Sequence, residues 1–356
     1  MKTAIITFFD SFPPKTGSGV VCTDFFECWP DQNKRLFQLS TIKIKHKKIE
    51  TIKLYKNKPI FKIISIPNII IKLAKYFKDE KKKFIIIEGP SWIFYSFIII
   101  FFFKTFYKNI NIIYRSHSVE YEIRKNNSNL FIQYLTKAFE NYVINNSDIA
   151  TSVSSLEKNI FKKYYKAKTY LFPNSVDFKR LECLKMEKIK KIPKKFILFC
   201  GSYDYKPNKY AIDFIEKKIL PKIEKKNIYL VLTGNHKKKF KNKNIINLGF
   251  VNNKKLKYLH YKSVCLFTPL KEGYGTRIKI LEALVHKNRI ITTKKGIEGI
   301  SFSSNKNIKV LENKNKMIKL IEKFSTEKKV FKSNKNLFHY SMRSNCKRLF
   351  NFISKI

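Results

Sequence analysis

Hydrophobic residues in this chain cluster in short continuous runs that end at glycine, proline or a polar group. In the first half, such runs predict strands, with the helical stretches 121–145 and 154–165 among the segments between them. Continuous apolar runs are typical of parallel strands covered on both faces. The strands predicted in this half are 3–9, 84–88, 111–115 and 148–153.

The second half repeats this alternation. Helices are predicted at 208–225 and 276–285, and an amphipathic basic helix at 338–356. We expect all ten glycines to lie in turns or just beyond strand ends, where positive φ or close backbone approach is needed. The strands predicted in this half are 196–200, 228–233, 264–268 and 289–292.

The two halves predict an α/β protein with two Rossmann-like, doubly wound domains. The proline-asparagine stretch 173–177 and the charged stretch 179–195 connect them. We therefore expect an N-terminal domain at 1–178, a C-terminal domain at 179–335 and a final helix at 336–356 that returns to the N-terminal domain. Ligands of such sheets bind outside the carboxyl ends of the strands, so the site is expected in a cleft between the domains.

The charge of the chain is extreme, with 74 basic and 26 acidic residues and a formal net charge of +48. Such a charge suits a nucleic acid or an anionic membrane as partner. The lysines are spread from end to end, however, and no nucleic-acid motif accompanies them, which favours lysine-rich solvated faces instead. A basic, aromatic-rich first domain would still favour contact with an anionic leaflet, so peripheral membrane association stays open.

Other composition features narrow the class of protein. The six cysteines form no C-x-x-C pair, and no His/Cys/Asp group has metal-ligand spacing, so neither a metal nor a cofactor is expected. The apolar segment 92–103 is too short to span a bilayer, which needs about 20 residues, and predicts a buried crossover helix. The first nine residues predict a strand rather than a signal peptide, and we expect a cytoplasmic protein.

The segment from Gly273 to Glu282 is the most informative part of the chain. Gly273 and Gly275 separate a strand from a helix that is predicted to open with Thr276, Arg277 and Lys279. Exposed N–H groups at a helix start bind anions, and the two cations add positive charge there. Glu282, one turn later, can accept hydrogen bonds from a sugar hydroxyl. The combination suits a diphosphate joined to a ribose, as in a nucleotide-sugar.

Several motifs in the same order resemble retaining glycosyltransferases of the GT-B fold, family 4. The resemblance covers almost the whole chain and is strongest from 196 to 300. Six pieces carry it: FPP with GSG at 12–19, SHSVE at 116–120, FPNSVD at 172–177, FCGS with PN at 199–208, the glycine loop with TRIKILEA at 273–283, and TT with GIEG at 292–299.

The resemblance implies roles for individual residues. His117 would face the donor sugar, Arg277 and Lys279 would neutralise the leaving diphosphate, and Glu282 would hold the ribose. The family's first acidic position is eight residues before the second, which is Tyr274 here, whereas Glu272 is ten before; either Glu272 fills this role or backbone N–H groups do. The remaining donor-binding residues expected are Gly201, Ser202, Gly273, Tyr274, Gly275 and Thr276.

One departure from the family pattern concerns the diphosphate. Many members place an arginine after the first glycine and a lysine about six residues later, where this chain has Ser202 and Asn208. The phosphate contacts would then fall on Arg277, Lys279, backbone N–H groups and, as a further candidate, Lys206. This departure concerns the exact contacts to the donor and not the fold.

The N-terminal motifs allow more than one interpretation. Gly17, Ser18 and Gly19 are either a flexible first loop or a backbone nest for an acceptor or phosphate. Arg115 is either a ligand contact or a surface residue. Three further polar side chains are expected to have structural roles at helix starts and turns, namely Glu120, Asn174 and Asp177.

These observations predict a metal-independent, retaining hexosyltransferase-like enzyme acting on a nucleotide-sugar and a saccharide or lipid-linked saccharide acceptor, in cell-surface polysaccharide or glycolipid assembly. The alternative is a non-catalytic binding protein of the same fold that docks to an anionic membrane or nucleic acid. An epimerase of the same fold is a third, closely related candidate.

Overall fold

The computed structural model describes residues 1–355 except Lys15, Asp79, Lys108, Asn126, Tyr274 and the segments 301–306 and 330–334. Two compact units make up the chain. The N-terminal unit contains Met1–Ser175 together with Met342–Ile356, and the C-terminal unit contains Val176–Ser341. Each unit is built around its own parallel sheet.

The N-terminal unit has a seven-stranded sheet in the order β3-β2-β1-β4-β5-β6-β7, and all of its pairings are parallel. The middle strands are buried along almost their whole length, as their continuous apolar runs predict. The strands are β1 Lys2–Thr7, β2 Arg35–Ser40, β3 Ile49–Lys53, β4 Lys83–Glu88, β5 Ile110–Arg115, β6 Ile149–Ser152 and β7 Tyr170–Leu171.

Helices cover this sheet, and α14, near the end of the chain, packs against α1. The single helix predicted over 121–145 is wrong: it is two helices, and Asn129 caps the second by accepting a hydrogen bond from the Ile132 N–H. The helices are α1 Gly17–Cys28, α2 Pro59–Phe77, α3 Ile93–Phe106, α4 Glu120–Lys125, α5 Leu130–Asn146, α6 Ser155–Tyr165 and α14 Met342–Ile353.

The C-terminal unit has a six-stranded parallel sheet in the order β10-β9-β8-β11-β12-β13. Its central strand, β8, is fully buried. The strands are β8 Phe196–Cys200, β9 Tyr229–Thr233, β10 Ile245–Asn247, β11 Cys265–Thr268, β12 Ile290–Thr292 and β13 Ile308–Val310.

Two helices of the C-terminal unit differ from the predicted bounds. The stretch 208–225 is not one regular helix, since a π-helical turn at Ile215–Ile219 separates α8 from α9. The helix predicted at 276–285 begins two residues later. The helices are α7 Phe178–Cys183, α8 Lys206–Phe214, α9 Leu220–Ile223, α10 Asn253–Lys262, α11 Ile278–Val285, α12 Lys294–Ile297 and α13 Lys314–Thr326.

The apolar helix α3 lies against α5 and α2 and buries Ile93, Ile99, Ile100 and Phe103. It is therefore a crossover helix of the sheet, as its short length predicts. Among the described residues, no helix combines the length and hydrophobicity that a membrane crossing requires.

Candidate functional site

Functional candidates in the C-terminal unit gather where β8 and β11 end. Gly201 follows β8 directly, and the loop containing Gly273 and Gly275 connects β11 to α11. Both Gly201, at φ +138°, and Gly273, at φ +113°, adopt backbone conformations that favour glycine. The sequence therefore brings two glycine-containing backbone segments to the edge of the sheet where ligands of this fold class bind.

Lys279, in the first turn of α11, reaches back to the end of β8. Its Nζ donates a hydrogen bond to Asn208 Oδ1 at 3.0 Å and lies 4.4 Å from the centre of the Phe199 ring. A Cβ at Gly201 would lie only 2.9 Å from this Nζ, so the glycine makes room for the ammonium group. Burial lowers the pKa of Lys279 to about 8, and the neighbouring Arg277 acts in the same direction.

Arg277 lies beside Gly273 as Lys279 lies beside Gly201. It is the N-cap residue of α11 rather than part of the helix, and its side chain is 8% exposed. Its Nη1 donates to the Gly275 carbonyl at 2.9 Å, and a Cβ at Gly273 would lie 2.8 Å from its Nη2. Burial lowers its pKa below the usual range. Two cations are thus held at the start of one helix, each against a glycine.

The remaining predicted donor residues lie around these cations. Thr276 is buried, and its Oγ1 has no hydrogen-bond partner among the described residues. Glu282 is also buried, on the second turn of α11. Ser202 Oγ accepts a hydrogen bond from the Asn235 N–H at 3.2 Å, which joins the ends of β8 and β9. Glu272 is partly exposed, and Tyr274 lies outside the described residues.

Asn208 was assigned no role of its own by sequence reasoning. Besides accepting from Lys279, its Nδ2 donates to the Ser202 carbonyl at 3.0 Å. It therefore connects the loop after β8 to the cation of α11. The sequence indicated only that Asn208 stands where many members of the family that the chain resembles have a lysine.

A buried ionic cluster lies where β4 and β5 of the N-terminal unit end. Arg115 Nε and Nη2 donate to the two carboxylate oxygens of Glu88, each at 2.8 Å, and both side chains are fully buried. The guanidinium also lies over the rings of Phe25 and Phe172, at 4.2 and 5.1 Å. Arg115 is therefore a core residue, so its interpretation as a surface residue is wrong.

Glu88 is the centre of this cluster. Burial alone would raise the pKa of its carboxyl, but the Arg115 guanidinium and the His117 ring hold it at about 2. Cys22, Glu88 and His117 lie close enough to hold a metal ion. The Arg115 guanidinium already binds both carboxylate oxygens, however, and a second cation would have to displace it. Sequence reasoning missed Glu88, although its position at a strand end before Gly89 was visible.

His117 belongs to the same cluster. Its Nε2 lies 2.6 Å from Glu88 Oε2 and its ring is 8% exposed. Burial and the Arg115 charge lower the pKa of His117 despite the neighbouring carboxylate. A neutral ring that donates Nε2–H to Glu88 keeps Nδ1 as an acceptor. The chemistry available to His117 is therefore acceptance of a hydrogen bond or proton through Nδ1.

The segment Gly17, Ser18 and Gly19 is not a free loop before a helix. These residues form the first turn of α1, and the Thr16 hydroxyl caps it by accepting a hydrogen bond from the Gly19 N–H at 3.1 Å. The expectation that all ten glycines lie in turns or just beyond strand ends is therefore wrong for Gly17 and Gly19, and also for Gly296 in α12. The N–H groups of Gly17 and Ser18 also have no partner within the helix, and both residues are exposed, so these groups can contact solvent or a ligand.

Two of the three residues expected to have structural roles, Glu120 and Asp177, have local partners. Glu120 lies in the first turn of α4 and accepts from Arg124 Nε at 3.0 Å. Asp177 is the N-cap of α7 and accepts from the Arg180 N–H. Asn174, in the segment that follows β7, is buried, and its Oδ1 has no hydrogen-bond partner among the described residues.

Comparison with known proteins gives one family match. Residues 194–324, most of the C-terminal unit, match the family described as glycosyl transferases group 1. This confirms, for the C-terminal motifs, the resemblance to group 1 glycosyltransferases. No curated protein sequence matches the chain.

Solved structures share the fold over the whole chain. HepE from Anabaena in complex with UDP-glucose is similar at a TM-score of 0.68, with 11% identity and 100% of both chains covered. WaaG, a glycosyltransferase involved in lipopolysaccharide biosynthesis, gives 0.64 and 13%, with 98% and 95% covered. UDP-GlcNAc 2-epimerase from Methanocaldococcus jannaschii gives 0.59 and 12%, with 100% of both covered. The predicted α/β architecture of the GT-B type is confirmed.

Proposed function

We propose that this chain, whose residues 194–324 match the group 1 glycosyl transferases, transfers a sugar from a nucleoside diphosphate to a hydroxyl acceptor. The observation that carries the proposal is the pair of cations, Arg277 and Lys279, at the start of α11, each placed against a glycine. Similarity to the HepE structure with bound UDP-glucose supports a nucleotide-sugar as donor.

The cation pair fits the leaving group of this reaction. When the bond between the sugar and the diphosphate breaks, negative charge grows on the diphosphate. Preorganised cations and helix N–H groups stabilise such charge most effectively where water is excluded. Arg277 is nearly buried and Lys279 is packed against Phe199 and Asn208, so both are held in place before the donor binds. We propose that these groups serve in place of a divalent cation.

We propose that the remaining predicted residues bind the rest of the donor. Glu282 accepts hydrogen bonds from the ribose hydroxyls. Gly201, Ser202, Gly273, Gly275 and Thr276 present backbone or hydroxyl groups to the nucleotide, and the buried Thr276 hydroxyl is the best placed of these because it has no partner among the described residues. Glu272 remains the acidic candidate for the sugar, and Tyr274 remains the alternative at this position.

For the N-terminal unit, we propose that His117 acts on the substrate. Glu88 fixes the ring through Nε2 and burial keeps it neutral, so Nδ1 accepts a hydrogen bond from a sugar hydroxyl. The start of α1, with Gly17, Ser18 and Gly19, is proposed as an acceptor or phosphate contact because its N–H groups form an anion site.

We propose a retaining reaction. The acceptor oxygen forms its bond to the anomeric carbon on the face from which the diphosphate leaves, and the departing phosphate oxygen takes the hydroxyl proton. This route needs no protein nucleophile. The proposed acceptor is a saccharide or lipid-linked saccharide of cell-surface polysaccharide or glycolipid assembly, and the proposed location is the cytoplasm, at the inner face of the membrane.

The test begins with a thermal-shift screen of nucleotide-sugars, with UDP-glucose and UDP-GlcNAc as first probes, followed by a transfer assay with the best donor. Binding to the folded state raises the melting temperature by mass action. Arg277→Ala should lower donor turnover by about 10²- to 10³-fold, the range for loss of one group that stabilises transition-state charge. Lys319→Ala, on the exposed face of α13 in the same unit, is the control and should leave turnover unchanged.

The assay also separates the alternatives. A transferase makes a glycosylated acceptor and a stoichiometric nucleoside diphosphate. An epimerase converts the donor sugar without any acceptor, and a binding protein does neither. Normal turnover in a folded Arg277→Ala variant would refute the proposed role of the cation pair.

A further inference from the structure

Helix α2 of the N-terminal unit is apolar on two sides. Ile66, Ile69, Leu73 and Phe77 face the core and are buried. Three isoleucines on the opposite side are largely exposed: Ile60 at 55%, Ile64 at 66% and Ile71 at 54%. Their spacing of four and seven residues aligns them on one face of the helix. A helix with a solvated outer face would carry polar residues there.

Exposed apolar side chains also occur on the neighbouring helices. α3 packs against both α2 and α5, so the three helices form one layer on the sheet. The first turns of α5 expose Leu130 at 82%, Phe131 at 67% and Tyr134 at 71%. In the described part of the chain, eight of 21 exposed large hydrophobic side chains lie on these three helices. Such a concentration indicates an interaction surface rather than scattered exposure.

Positive charge accompanies the isoleucines of α2. The segment 51–78 contains seven lysines and no aspartate or glutamate. The nearest preceding acid, Glu50, is paired with Lys72. Basic residues beside an apolar stripe are the pattern of helices that lie in the interface of an anionic membrane.

Helix α13 of the C-terminal unit shows that this pattern is not general. Its outer positions are Lys314, Lys316, Lys319 and Lys323, all exposed, while Met317 and Ile321 are buried. A chain rich in lysine and isoleucine therefore builds an ordinary amphipathic helix there. Composition alone accounts for the lysines of α2 but not for the isoleucines on its outer face.

We propose that the outer surface of α2 and the first turns of α5 dock the protein onto an anionic lipid bilayer. The six residues Ile60, Ile64, Ile71, Leu130, Phe131 and Tyr134 form the docking face. Isoleucines enter the boundary between headgroups and acyl chains, and the lysines contact lipid phosphates. A second copy of the chain is a poorer occupant, because each copy carries a net charge of +48 and repels the other.

The proposal does not depend on the transfer reaction, since it concerns a surface and not the donor site. The experiment measures co-sedimentation of the full chain with vesicles of equal parts phosphatidylglycerol and phosphatidylcholine, and with phosphatidylcholine alone. The test variant combines Ile60→Ser, Ile64→Ser and Ile71→Ser. These side chains are exposed, so the fold should tolerate the change, and the melting temperature of the variant verifies this.

A matched control replaces three exposed apolar residues of the other unit, Phe250→Ser, Val310→Ser and Phe338→Ser. The wild type and this control should bind the anionic vesicles equally. The isoleucine variant should bind them at least about tenfold more weakly, because less apolar surface is available for burial, and neutral vesicles should bind little of any form. Equal binding by the isoleucine variant would show attachment through diffuse charge and overturn the proposed face. Failure of the wild type to bind would overturn the bilayer as partner and favour an acidic protein.

Discussion

At the scale of single residues, Glu88 and Arg115 of the N-terminal unit form an ion pair in which both side chains are fully buried. Both oxygens of the carboxylate accept from the guanidinium, and Cys22 Sγ and the His117 ring also contact it. A buried ion pair is costly to form, and it is still more costly to lose one partner, since the other then remains charged and desolvated. The cluster thus both fixes His117 and makes the unit sensitive to its central carboxylate.

Glu88→Gln should lower the free energy of unfolding by about 3–5 kcal/mol, the range for breaking a buried ion pair. Chemical denaturation of the wild type and the variant measures this difference in the free energy of unfolding. The pKa of Glu88 is lowered from 4.5 to about 2, so its contribution is complete above about pH 4.5 and is lost as the pH falls towards about 2. The wild type should lose stability in this window more steeply than the variant.

The control for this prediction is Glu187→Gln, which breaks the surface pair with Lys255 at 3.2 Å. Exposed pairs are screened by solvent and contribute little to stability, so this change should be small. Equal effects of the two substitutions would contradict the role given to the buried pair.

Lys279 should give nucleotide binding a characteristic pH dependence. Its pKa of about 8 means that the ammonium form predominates below about pH 8. An anionic diphosphate favours that form, so affinity should be constant below this pH and fall by up to about tenfold per unit above it. Calorimetric titration with UDP between about pH 7 and about pH 9.5 measures the profile.

Two further variants connect this profile to the site. Lys279→Arg should flatten it, because a guanidinium does not deprotonate in this range. Asn208→Asp should move the break to higher pH, since a carboxylate beside the ammonium raises its pKa. A profile that stays the same in both variants would mean that another group titrates.

At the scale of elements, the sequence predicted best what continuous apolar runs specify. The central strands of both sheets were found within a few residues, as was the glycine loop before α11. The strand β2 and the edge strand β3 were missed because Arg35–Ser40 and Ile49–Lys53 mix polar with apolar residues and show no continuous run. The break between α4 and α5 was missed because apolar spacing hid the cap at Asn129.

Helix starts were equally hard to predict, since a cap is defined by backbone angles. Thr276 and Arg277 directly precede residues that favour helix, yet Arg277 has ψ 95° and α11 begins only after it. The site residues from Gly273 to Glu282 were named from the sequence nonetheless, because a glycine loop, basic residues and an acid occur together there. Contacts between distant segments, such as Lys279 with Asn208 or Glu88 with Arg115, have no sequence signal of their own.

The glycines at the donor site offer a test at the same scale. Gly201→Ala should destabilise the protein and abolish nucleotide binding, because a Cβ would lie 2.6 Å from Asn208 Nδ2 and 2.9 Å from Lys279 Nζ at φ +138°. Gly249→Ala is the matched control: it has φ +62° but no atom within 4 Å of the added Cβ. It should cost about 1–2 kcal/mol of backbone strain and leave UDP affinity unchanged. Thermal unfolding with and without UDP measures both effects. UDP binding by a folded Gly201→Ala variant would show that this glycine does not shape the site.

At the scale of the whole molecule, a net charge of +48 attracts any anion, and a local site must be distinguished from this general field. The two differ in their response to salt. The Debye length shortens from about 10 Å at 0.1 M to about 3 Å at 1 M, so exposed charges are screened strongly and desolvated ones much less. Arg277 is nearly buried and Lys279 is desolvated, whereas most lysines of 51–78 are exposed.

Raising NaCl from about 0.05 M to about 0.5 M should therefore weaken binding to anionic vesicles far more than binding to UDP, since attraction between exposed charges is screened first. Vesicle co-sedimentation and calorimetry with UDP, each at both salt concentrations, provide the comparison. Binding of duplex DNA supplies a reference for purely diffuse attraction, since its affinity falls steeply with salt in proportion to the phosphates neutralised. Arg277→Ala should lower UDP affinity at both salts and leave the DNA curve unchanged. If the affinity for UDP instead falls with salt as steeply as the affinity for DNA, the diphosphate is attracted by the overall surface charge. That result would contradict a specific diphosphate site at the start of α11.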